Sequence, residues 1–422
     1  LQSGPAVAQM RDSMLEFFKV TDLASVFKNA EAFTPVDAET VPLPESCGRV
    51  LAETISADRD LPEFLRATMD GYAVKASATF GASDGSPAYL TVKGTVSMGQ
   101  TPTFSIAHGE VCRISTGGML PEGTDSVVMI EHTEMLDDTT IEVYRSVAPG
   151  QHVVEVGEDF RRGQVILEAG QYLRPQETGL LAAFGQQSVR VFRRPTIAII
   201  STGDEVVPID STPVQGQIRD VNSYSLSGQV LAAGGIPVRY GIVRDNYEAL
   251  YETCRNALAG SDMILLSGGS SVGVRDFTID VLTQLPDSRI LVHGISISPG
   301  KPTILANTQN KAVWGLPGHV VSAMVVFKVV VQPFIEHVAG LSPSQRQAFR
   351  IPARLSRNIG SAQGRTDFIR VRLTRDNDEY RAEPILGKSG LLNTMVMADG
   401  LIEIDVNTEG LDAGAEVAVI PL

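Results

Sequence analysis

Glycines and serines cluster between Ser267 and Gly273, directly after an apolar run that predicts a buried strand. A helical pattern begins after Asp276. Glycine lets the backbone approach a ligand closely, serine supplies hydroxyl groups, and the start of a helix adds unpaired N–H groups with a favourable dipole. The segment is therefore typical of an anion cradle, and we expect its ligand to carry phosphate.

Carboxylates stand near the ends of the predicted strands. Glu205 follows one strand, Asp220 precedes a predicted helix, and Asp276 closes the glycine-rich turn. Ligands of open parallel α/β sheets lie beyond the carboxyl ends of the strands, so these groups are expected to converge on one crevice. Because carboxylates repel a phosphate unless a hard cation bridges them, the pattern predicts a magnesium-assisted site. The alternative is that Asp220 or Asn222, and likewise Asp276, only cap the helices that follow them.

Lys301 lies in a turn between Pro299 and Pro302. Proline restricts the backbone, so this stiff turn can aim the ammonium group at a phosphate or another oxyanion. The alternative is a solvated surface lysine, and the neighbouring strand ends favour the ligand-binding interpretation.

A second enzyme class also matches the glycine-rich turn. Residues 269–273 have the G-x-S-x-G spacing of a nucleophile elbow, in which Ser270 or Ser271 would attack a substrate. An elbow needs a helix directly after the serine, whereas Gly273–Arg275 delay it. The sequence shows no ordered acid partner for the later histidines, which are His293, His319 and His337. We therefore place a serine hydrolase below the phosphate site.

Polar turns also occur in the first half of the chain. By spacing alone, Thr68–Val74 and Arg113–Gly118 predict β-turns next to strands, and Gly157–Arg162 predicts a cluster of surface charge. Their side chains include groups that bind cations or oxyanions. The residues by themselves favour the structural interpretation.

Composition limits the function classes. The chain has 422 residues, of which 43% are hydrophobic and 20% charged, and this length allows roughly two to four domains. A net charge of −14 argues against a nucleic-acid binder. Three widely spaced cysteines without a C-x-x-C pair are typical of a reducing cytoplasm. The most apolar segment, Val320–Val331, is too short for a membrane span, so we expect a soluble protein.

Two kinds of periodicity divide the chain. Strands and helices alternate over residues 195–340, which predicts a parallel α/β sheet. Short strands predict β-domains at 68–148 and 341–422, and residues 11–67 and 149–194 predict one discontinuous arm. The predicted elements of the α/β domain are strands Thr196–Ser201, Pro237–Val243 and Met263–Ser267, and helices Ser223–Ala233, Tyr247–Ala259, Phe277–Leu285 and His319–Val338.

These segments together resemble the molybdopterin molybdenumtransferases, the MoeA family that includes the gephyrin E domain. The resemblance covers nearly the whole chain. Its motifs occur in order, and they are M-D-G-Y-A at Met69–Ala73, T-G at Thr116–Gly117, G-E-D at Gly157–Asp159, S-T-G-D-E at Ser201–Glu205, D-x-N at Asp220–Asn222, S-G-G-x-S-x-G at Ser267–Gly273, P-G-K-P at Pro299–Pro302, L-P-G at Leu316–Gly318 and G-R at Gly364–Arg365. Each motif alone is weak, but nine in this order are specific.

The resemblance implies a multidomain α/β plus β fold. Its parts are a central molybdopterin-binding three-layer α/β domain with a mostly parallel sheet, an elongated arm, a small β-domain and a C-terminal β-barrel-like domain. It also implies a cytoplasmic homodimer whose α/β domain faces the partner subunit across the active cleft. Further candidate partners are the molybdopterin adenylyltransferase and molybdoenzyme chaperones, with no nucleic acid and no membrane.

The implied reaction takes adenylylated molybdopterin and molybdate, hydrolyses the adenylate with release of AMP, and leaves molybdenum on the dithiolene. Magnesium (Mg²⁺) is the implied ion. Carried over by position, the active-cleft residues are Asp70, Thr116, Asp159, Glu205, Asp220, Asp276, Lys301 and Arg365. The implied cofactor-binding residues are Ser267, Gly268, Gly269, Ser270, Ser271, Gly273, Pro299, Gly300, Pro317, Gly318 and Ser322.

The resemblance also suggests roles for four of these side chains. Glu205 and Asp220 would bind the metal or orient water, whereas Lys301 and Arg365 would stabilise oxyanions. The serines from Ser267 to Ser271 would hold the phosphate of the pterin cofactor.

The sequence departs from the common family pattern at two places. Ser298 stands where the family often has a second lysine, and His319–Val320 replace the usual Asn-Pro. The first departure removes a charge, and the second loses a proline and gains a titratable ring. Two alternatives therefore stay open, which are a tungstate-inserting paralogue and a non-catalytic molybdopterin-binding scaffold.

Overall fold

The computed structural model describes residues 20–268, 277–346, 349–376 and 378–422. The chain divides into two units. The first holds the described residues through Glu53 together with Ala169–Gly179 and Gln187–Leu422, and the second holds Thr54–Glu168 and Leu180–Gln186. The boundaries of the four domains proposed from the sequence stay a prediction.

The second unit is built around a six-stranded sheet. Alternation of exposed and buried residues along Ala88–Val96 is typical of a strand with one face on a core, and Leu90 and Val96 are buried. The strands in spatial order are Ser126–Met129, Gly71–Val74, Glu110–Ile114, Ala88–Val96, Thr140–Val143 and Thr133–Met135. Two short antiparallel ladders complete this unit, Ile55–Ser56 with Val165–Leu167 and Arg66–Ala67 with Val153–Val154.

A six-stranded sheet also forms the centre of the first unit. Its strands in spatial order are Ile236–Val243, Thr196–Thr202, Met263–Ser267, Lys311–Leu316, Ile304–Thr308 and Ser288–His293. The first four strands pair in parallel, and the last two pairings are antiparallel. The predicted, mostly parallel sheet is therefore confirmed, and the carboxyl ends of four strands share one edge.

Successive residues of the central strands pack into two different cores. Ile197 and Ile199 lie in one buried cluster with Leu226, whereas Ala198 and Ile200 lie in another with Leu250. A strand buried on both faces reads as a continuous apolar run, which is why it was visible in the sequence. The helices of this region are Asn222–Ala232, Tyr247–Gly260 and Phe277–Gln284, each within two residues of its predicted bounds.

The antiparallel end of the sheet was not predicted. Ile304–Thr308 and Lys311–Leu316 form a hairpin around Gln309 and Asn310, whose φ angles are 53° and 61°. Two consecutive residues with positive φ are typical of a type I′ turn, whose twist suits a two-residue hairpin. Asn310 is typical of such a turn and could have indicated the hairpin, but glutamine is unusual at the position before it.

The predicted closing helix is interrupted. Helix Val320–Val326 continues as a π-helical segment, Phe327–Val331, and then as helix Gln332–Val338. Contrary to the sequence prediction, Val320–Val338 is long and apolar enough for a membrane span, with a mean hydropathy of 1.5 over its window. Because Val330 and Phe334 are fully buried in the central core, packing inside the protein accounts for this composition.

Five C-terminal strands close into a barrel, as predicted. They are Thr366–Asp376, Glu379–Pro384, Ile351–Leu355, Glu416–Pro421 and Gly400–Ile404, and the last pairs back with the first. The short strand Ile297–Ser298 pairs in parallel with Thr366 and Asp367 at the edge of the barrel. This pairing brings the Pro-Gly-Lys-Pro turn beside the Gly-Arg motif.

Shorter elements complete the first unit. Strand Ala38–Pro42 pairs with Ser188–Phe192, Val206–Val207 with Ile218–Arg219, and Ile359–Gly360 with Gly410–Leu411. The other α-helices of the described residues are Leu23–Lys28, Pro175–Ala183, whose last residues belong to the second unit, and Asn393–Val396.

Candidate functional site

Six of the predicted residues line one cavity of about 760 Å³ at the carboxyl edge of the central sheet. We call it the carboxylate cavity, and the six are Glu205, Asp220, Ser267, Gly268, Pro317 and Gly318. The parallel ladder between Val206–Val207 and Ile218–Arg219 places Glu205 before one strand and Asp220 after the other. The convergence expected from the strand ends is therefore present.

Asp220 is a buried carboxylate with three hydrogen bonds from the protein. Its Oδ1 accepts from Ser201 Oγ at 2.8 Å and from the backbone N–H of Ser223 at 3.1 Å, and Ser223 Oγ donates to Oδ2. The contact with the Ser223 N–H caps the first turn of helix Asn222–Ala232, as the structural alternative proposed. Capping does not remove Asp220 from the cavity, because the same carboxylate also lines it.

Asn222 joins the ends of two strands. Its Nδ2 donates to Ser267 Oγ at 2.6 Å and to the carbonyl oxygen of Gly318 at 2.8 Å. Because a carbonyl can only accept, this bond fixes which end of the amide is Nδ2. Asn222 Oδ1 is consequently a buried acceptor, and neither it nor the buried Thr202 Oγ1 has a hydrogen-bond partner among the described residues. Both residues line the carboxylate cavity, and neither had been predicted as a site residue.

Gly268 allows two strand ends to approach each other. Its φ is +116°, and a Cβ at this position would lie 2.4 Å from the backbone oxygen of Thr202. No other residue fits that space without moving the strand. The rest of the predicted cradle, which is Gly269, Ser270, Ser271, Gly273 and Asp276, lies outside the described residues.

Asp245, an acidic neighbour of Glu205, was not predicted from the sequence. Burial, followed by the charges of Asp204 and Glu205, raises the pKa of the Asp245 carboxyl. The backbone N–H of Asp245 donates to Asp204 Oδ1 at 3.3 Å. Asp245 follows the strand Ile236–Val243 by two residues, so the strand-end rule could have found it.

The predicted cationic residues line an adjoining cavity of about 1020 Å³. We call it the oxyanion cavity, and the predicted residues in its wall are Pro299, Gly300, Lys301, Pro317, Ser322 and Arg365. Arg365 is positioned by Asp367, whose buried Oδ1 lies 2.9 Å from Arg365 Nε and whose Oδ2 accepts from Ser361 Oγ at 2.7 Å. Gly300 has a φ of +121°, and a Cβ there would lie 2.3 Å from Val326.

Three further residues line the oxyanion cavity. Arg370 lines the oxyanion cavity and donates from Nη2 to the carbonyl of Gly387 at 2.9 Å. Burial lowers the pKa of its guanidinium, which nevertheless stays protonated. No motif pointed to Arg370, because its place depends on the closure of the barrel. His319 and Ser298, the two departures from the family pattern, both line this same cavity.

Asp70 and Thr116 meet in the second unit. Asp70 Oδ1 accepts from the backbone N–H of Thr116 at 2.6 Å and from its hydroxyl at 3.0 Å, and these bonds lower the pKa of the Asp70 carboxyl. Asp159 is also exposed, and its backbone N–H donates to the carbonyl of Leu61 at 3.1 Å. The described contacts do not join Asp159 to the other two residues.

The number of carboxylates in the cavity limits how a metal ion can be bound there. Among residues 20–268, 277–346, 349–376 and 378–422, no group of three or more His, Cys, Asp or Glu side chains is arranged to hold a metal ion. Magnesium needs only one or two carboxylates when phosphate oxygens complete its coordination. The pair Glu205 and Asp220 can therefore serve magnesium only together with a phosphate ligand.

Three family models match the chain. They are the MoeA N-terminal region (domain I and II) over residues 19–185, a probable molybdopterin binding domain over residues 198–337, and the MoeA C-terminal region (domain IV) over residues 352–422. Together the matches span both units and the barrel.

Relatives resemble the chain over nearly its whole length. A putative molybdopterin biosynthesis protein of Methanocaldococcus jannaschii is 36% identical, over 90% of this chain and 91% of the relative. A molybdopterin molybdenumtransferase of Nostoc sp. is 32% identical, over 92% and 89%. The crystal structure of the molybdopterin biosynthesis moeA protein from Pyrococcus horikoshii OT3 superimposes with a TM-score of 0.82 at 31% identity, over 96% of this chain and 100% of that one.

Proposed function

This chain belongs to the MoeA family, and from this membership we propose that it is a molybdopterin molybdenumtransferase of molybdenum cofactor biosynthesis. Its substrates are adenylylated molybdopterin and molybdate. The two dithiolene sulfurs bind molybdenum, and one molybdate oxygen leaves as water. A second water molecule attacks the phosphoanhydride, the P–O bond between the two phosphates breaks, and AMP leaves while the pterin keeps its own phosphate.

The observation that supports this proposal most strongly is the common wall of the two cavities. Pro302, Pro317 and His319 line both the carboxylate cavity and the oxyanion cavity. One cavity offers carboxylates and hydroxyls, and the other offers the side chains of Lys301 and Arg365. A substrate with a phosphoanhydride and an oxyanion with a double negative charge need these two environments next to each other.

The oxygen donors of the carboxylate cavity fit magnesium. Glu205 and Asp220 are hard ligands, and the unpartnered hydroxyl oxygen of Thr202 is a further oxygen in the same wall. When bound, magnesium would neutralise charge on the phosphate oxygens. Asp220 holds its position through Ser201 and Ser223, so its orientation does not depend on the ion.

The protein groups have separate tasks in this scheme. Glu205, which is exposed in the cavity, either binds the ion or orients the attacking water. Asn222 Oδ1 accepts a hydrogen bond from a donor on the pterin and so satisfies its buried lone pair. Lys301 and Arg365 stabilise the oxyanion. We further propose that Asp70, Thr116 and Asp159 belong to the active cleft.

Assembly and location are part of the same proposal. The chain is proposed to act as a cytoplasmic homodimer that receives its substrate from the molybdopterin adenylyltransferase and delivers its product to molybdoenzyme chaperones. Light scattering at several protein concentrations measures the dimer, and a monomer mass throughout would contradict it.

The direct test is AMP release from adenylylated molybdopterin with magnesium, in the presence of molybdate, tungstate or neither. We expect release that depends on molybdate, and loss of release in Glu205→Gln and Asp220→Ala. Release with tungstate alone would instead identify a tungstate-inserting enzyme. Tight binding of the substrate without release under any condition would favour a scaffold, and covalent labelling of Ser270 or Ser271 by a fluorophosphonate would favour a serine hydrolase.

A further inference from the structure

His319 lies where the two cavities meet. It is exposed and lines both of them, directly after the Pro317–Gly318 turn that closes the central strand. Pro302 and Pro317, the other residues that line both cavities, have no ionisable side chain, so His319 is the titratable group of this common wall. Its place between a phosphate site and an oxyanion site suggests a role beyond that of a turn residue.

The ring of His319 contacts the loop that follows the barrel strand Glu379–Pro384. Its Nδ1 lies 2.8 Å from Ser389 Oγ, and the Ser389 carbonyl accepts from the backbone N–H of Val321 at 3.1 Å. A hydroxyl can both donate and accept, so the bond to Ser389 forms with neutral and with protonated imidazole. When Ser389 donates to Nδ1, the proton of the neutral ring is on Nε2. In both states Nε2 is then an N–H donor, and no described residue accepts from it.

The charges around His319 differ on its two sides. The oxyanion cavity contributes the cations Lys301, Arg365 and Arg370 against the single acid Asp22, whose carboxylate caps a helix through Ser25. The carboxylate cavity contributes Glu205, Asp220 and Arg219. Lys388, next to Ser389 in the chain, is exposed on the same loop. The carboxylates on one side can thus offset the charge of protonated imidazole, while that charge adds to the cations on the other side.

We propose that His319 is an oxyanion-binding residue of the oxyanion cavity. Its Nε2–H donates to the bound oxyanion, and protonation of the ring adds a charge beside Lys301 and Arg365. Oxyanion binding therefore strengthens as the pH falls through the range in which histidine takes up its proton. This inference rests on the proposed function only for the identity of the oxyanion.

The test is calorimetric titration of the full chain with sodium molybdate at constant ionic strength, between about pH 6.5 and pH 8.5, the upper part of the range in which histidine titrates. The variants are His319→Gln, which keeps a neutral donor, His319→Lys, which keeps a charge, and Ser389→Ala, which frees the ring. For the wild type we expect affinity to fall about fivefold across the range, as for a partly screened charge-assisted bond. The Gln variant should bind with the weaker affinity at every pH, and the Lys variant with the stronger.

Equal pH dependence of the wild type and His319→Gln would overturn the proposal, and so would the absence of molybdate binding by the wild type. Circular dichroism and thermal unfolding of each variant separate a loss of fold from a loss of contact. AMP release is measured separately. A chain that binds molybdate with the expected pH dependence but releases no AMP would refute the proposed enzyme and still support the role of His319.

Discussion

The carboxylate cavity and the oxyanion cavity adjoin, yet their polar groups are held in different ways. In the carboxylate cavity, Asp220 and Asn222 make hydrogen bonds to the ends of neighbouring strands and of one helix. In the oxyanion cavity, Lys301 stands on an exposed turn, and Arg365 is joined to the barrel through Asp367. The polar groups of the carboxylate cavity are thus hydrogen-bonded to the strands and the helix that carry them. In the oxyanion cavity, Arg365 is held by a residue of the barrel, and Lys301 by an exposed turn.

This difference predicts which side chains contribute to the stability of the fold and which contribute to ligand binding alone. A side chain that satisfies buried groups contributes to folding and to function together, because its removal leaves partners unsatisfied. An exposed cation contributes to ligand binding with little effect on folding. Substitutions in the two cavities should therefore have distinguishable consequences.

The largest effect is expected at Asp220. Asp220→Ala removes the helix cap and leaves the hydroxyls of Ser201 and Ser223 without their acceptor, so it should lower the free energy of unfolding by about 3 kcal/mol. Urea denaturation measures this change, and loss of AMP release should accompany it. Glu205→Gln is the matched control, for which activity should fall while the midpoint of unfolding stays close to that of the wild type. An unchanged midpoint for Asp220→Ala would contradict the structural role.

Gly268 tests the close approach of the strand ends. Gly268→Ala places a Cβ 2.4 Å from the Thr202 carbonyl oxygen, and together with its positive φ this should cost about 2 kcal/mol. Gly318→Ala in the same cavity is the control, because its Cβ would lie 3.5 Å from Gly268 Cα, an ordinary contact. Denaturant midpoints compare the two. Equal destabilisation by both substitutions would show that the close approach of Gly268 to Thr202 is not the cause of the lost stability.

Lys301 tests the prediction that a cation of the oxyanion cavity contributes to binding and little to stability. Lys301→Gln should weaken molybdate binding about tenfold, as expected for loss of one charge-assisted contact, with stability changed by less than about 0.5 kcal/mol. Calorimetry and thermal unfolding measure the two quantities on the same sample. A large loss of stability with unchanged affinity would remove the distinction between the two cavities.

The smallest effect is expected at Asp70, in the second unit. The backbone N–H of Thr116, and then its hydroxyl, lower the pKa of Asp70. A carboxyl whose pKa is lowered by folding stabilises the protein above its unfolded-state pKa, and this contribution disappears as the pH falls through the folded-state value. NMR titration of the carboxyl should therefore show a pKa below about 3.9, and Thr116→Val should move it upward while the backbone bond remains. An Asp70 that titrates normally in the wild type would contradict the contact.

Local signals in the sequence were sufficient for three of the four parallel strands of the central sheet. Thr196–Thr202 and Met263–Ser267 are buried on both faces, so their apolar runs were unambiguous. The hairpin Ile304–Leu316 was missed because its turn uses Gln309 in place of the usual residues. The interruption at Phe327–Val331 was missed because the segment is apolar almost throughout, so its pattern does not distinguish a single i→i+5 turn from an α-helix.

For the site, the sequence by itself determined which chemical groups follow the strands. Glu205, Asp220, Ser267 and Lys301 could be named because strand ends and proline turns are local features. Only the tertiary structure decided how these groups divide between two cavities, which of them are satisfied by the protein, and that Arg370, His319 and Ser389 come together beside them. The physical reason is that closing the barrel and packing it on the sheet bring together residues far apart in the chain, and no local pattern encodes such contacts.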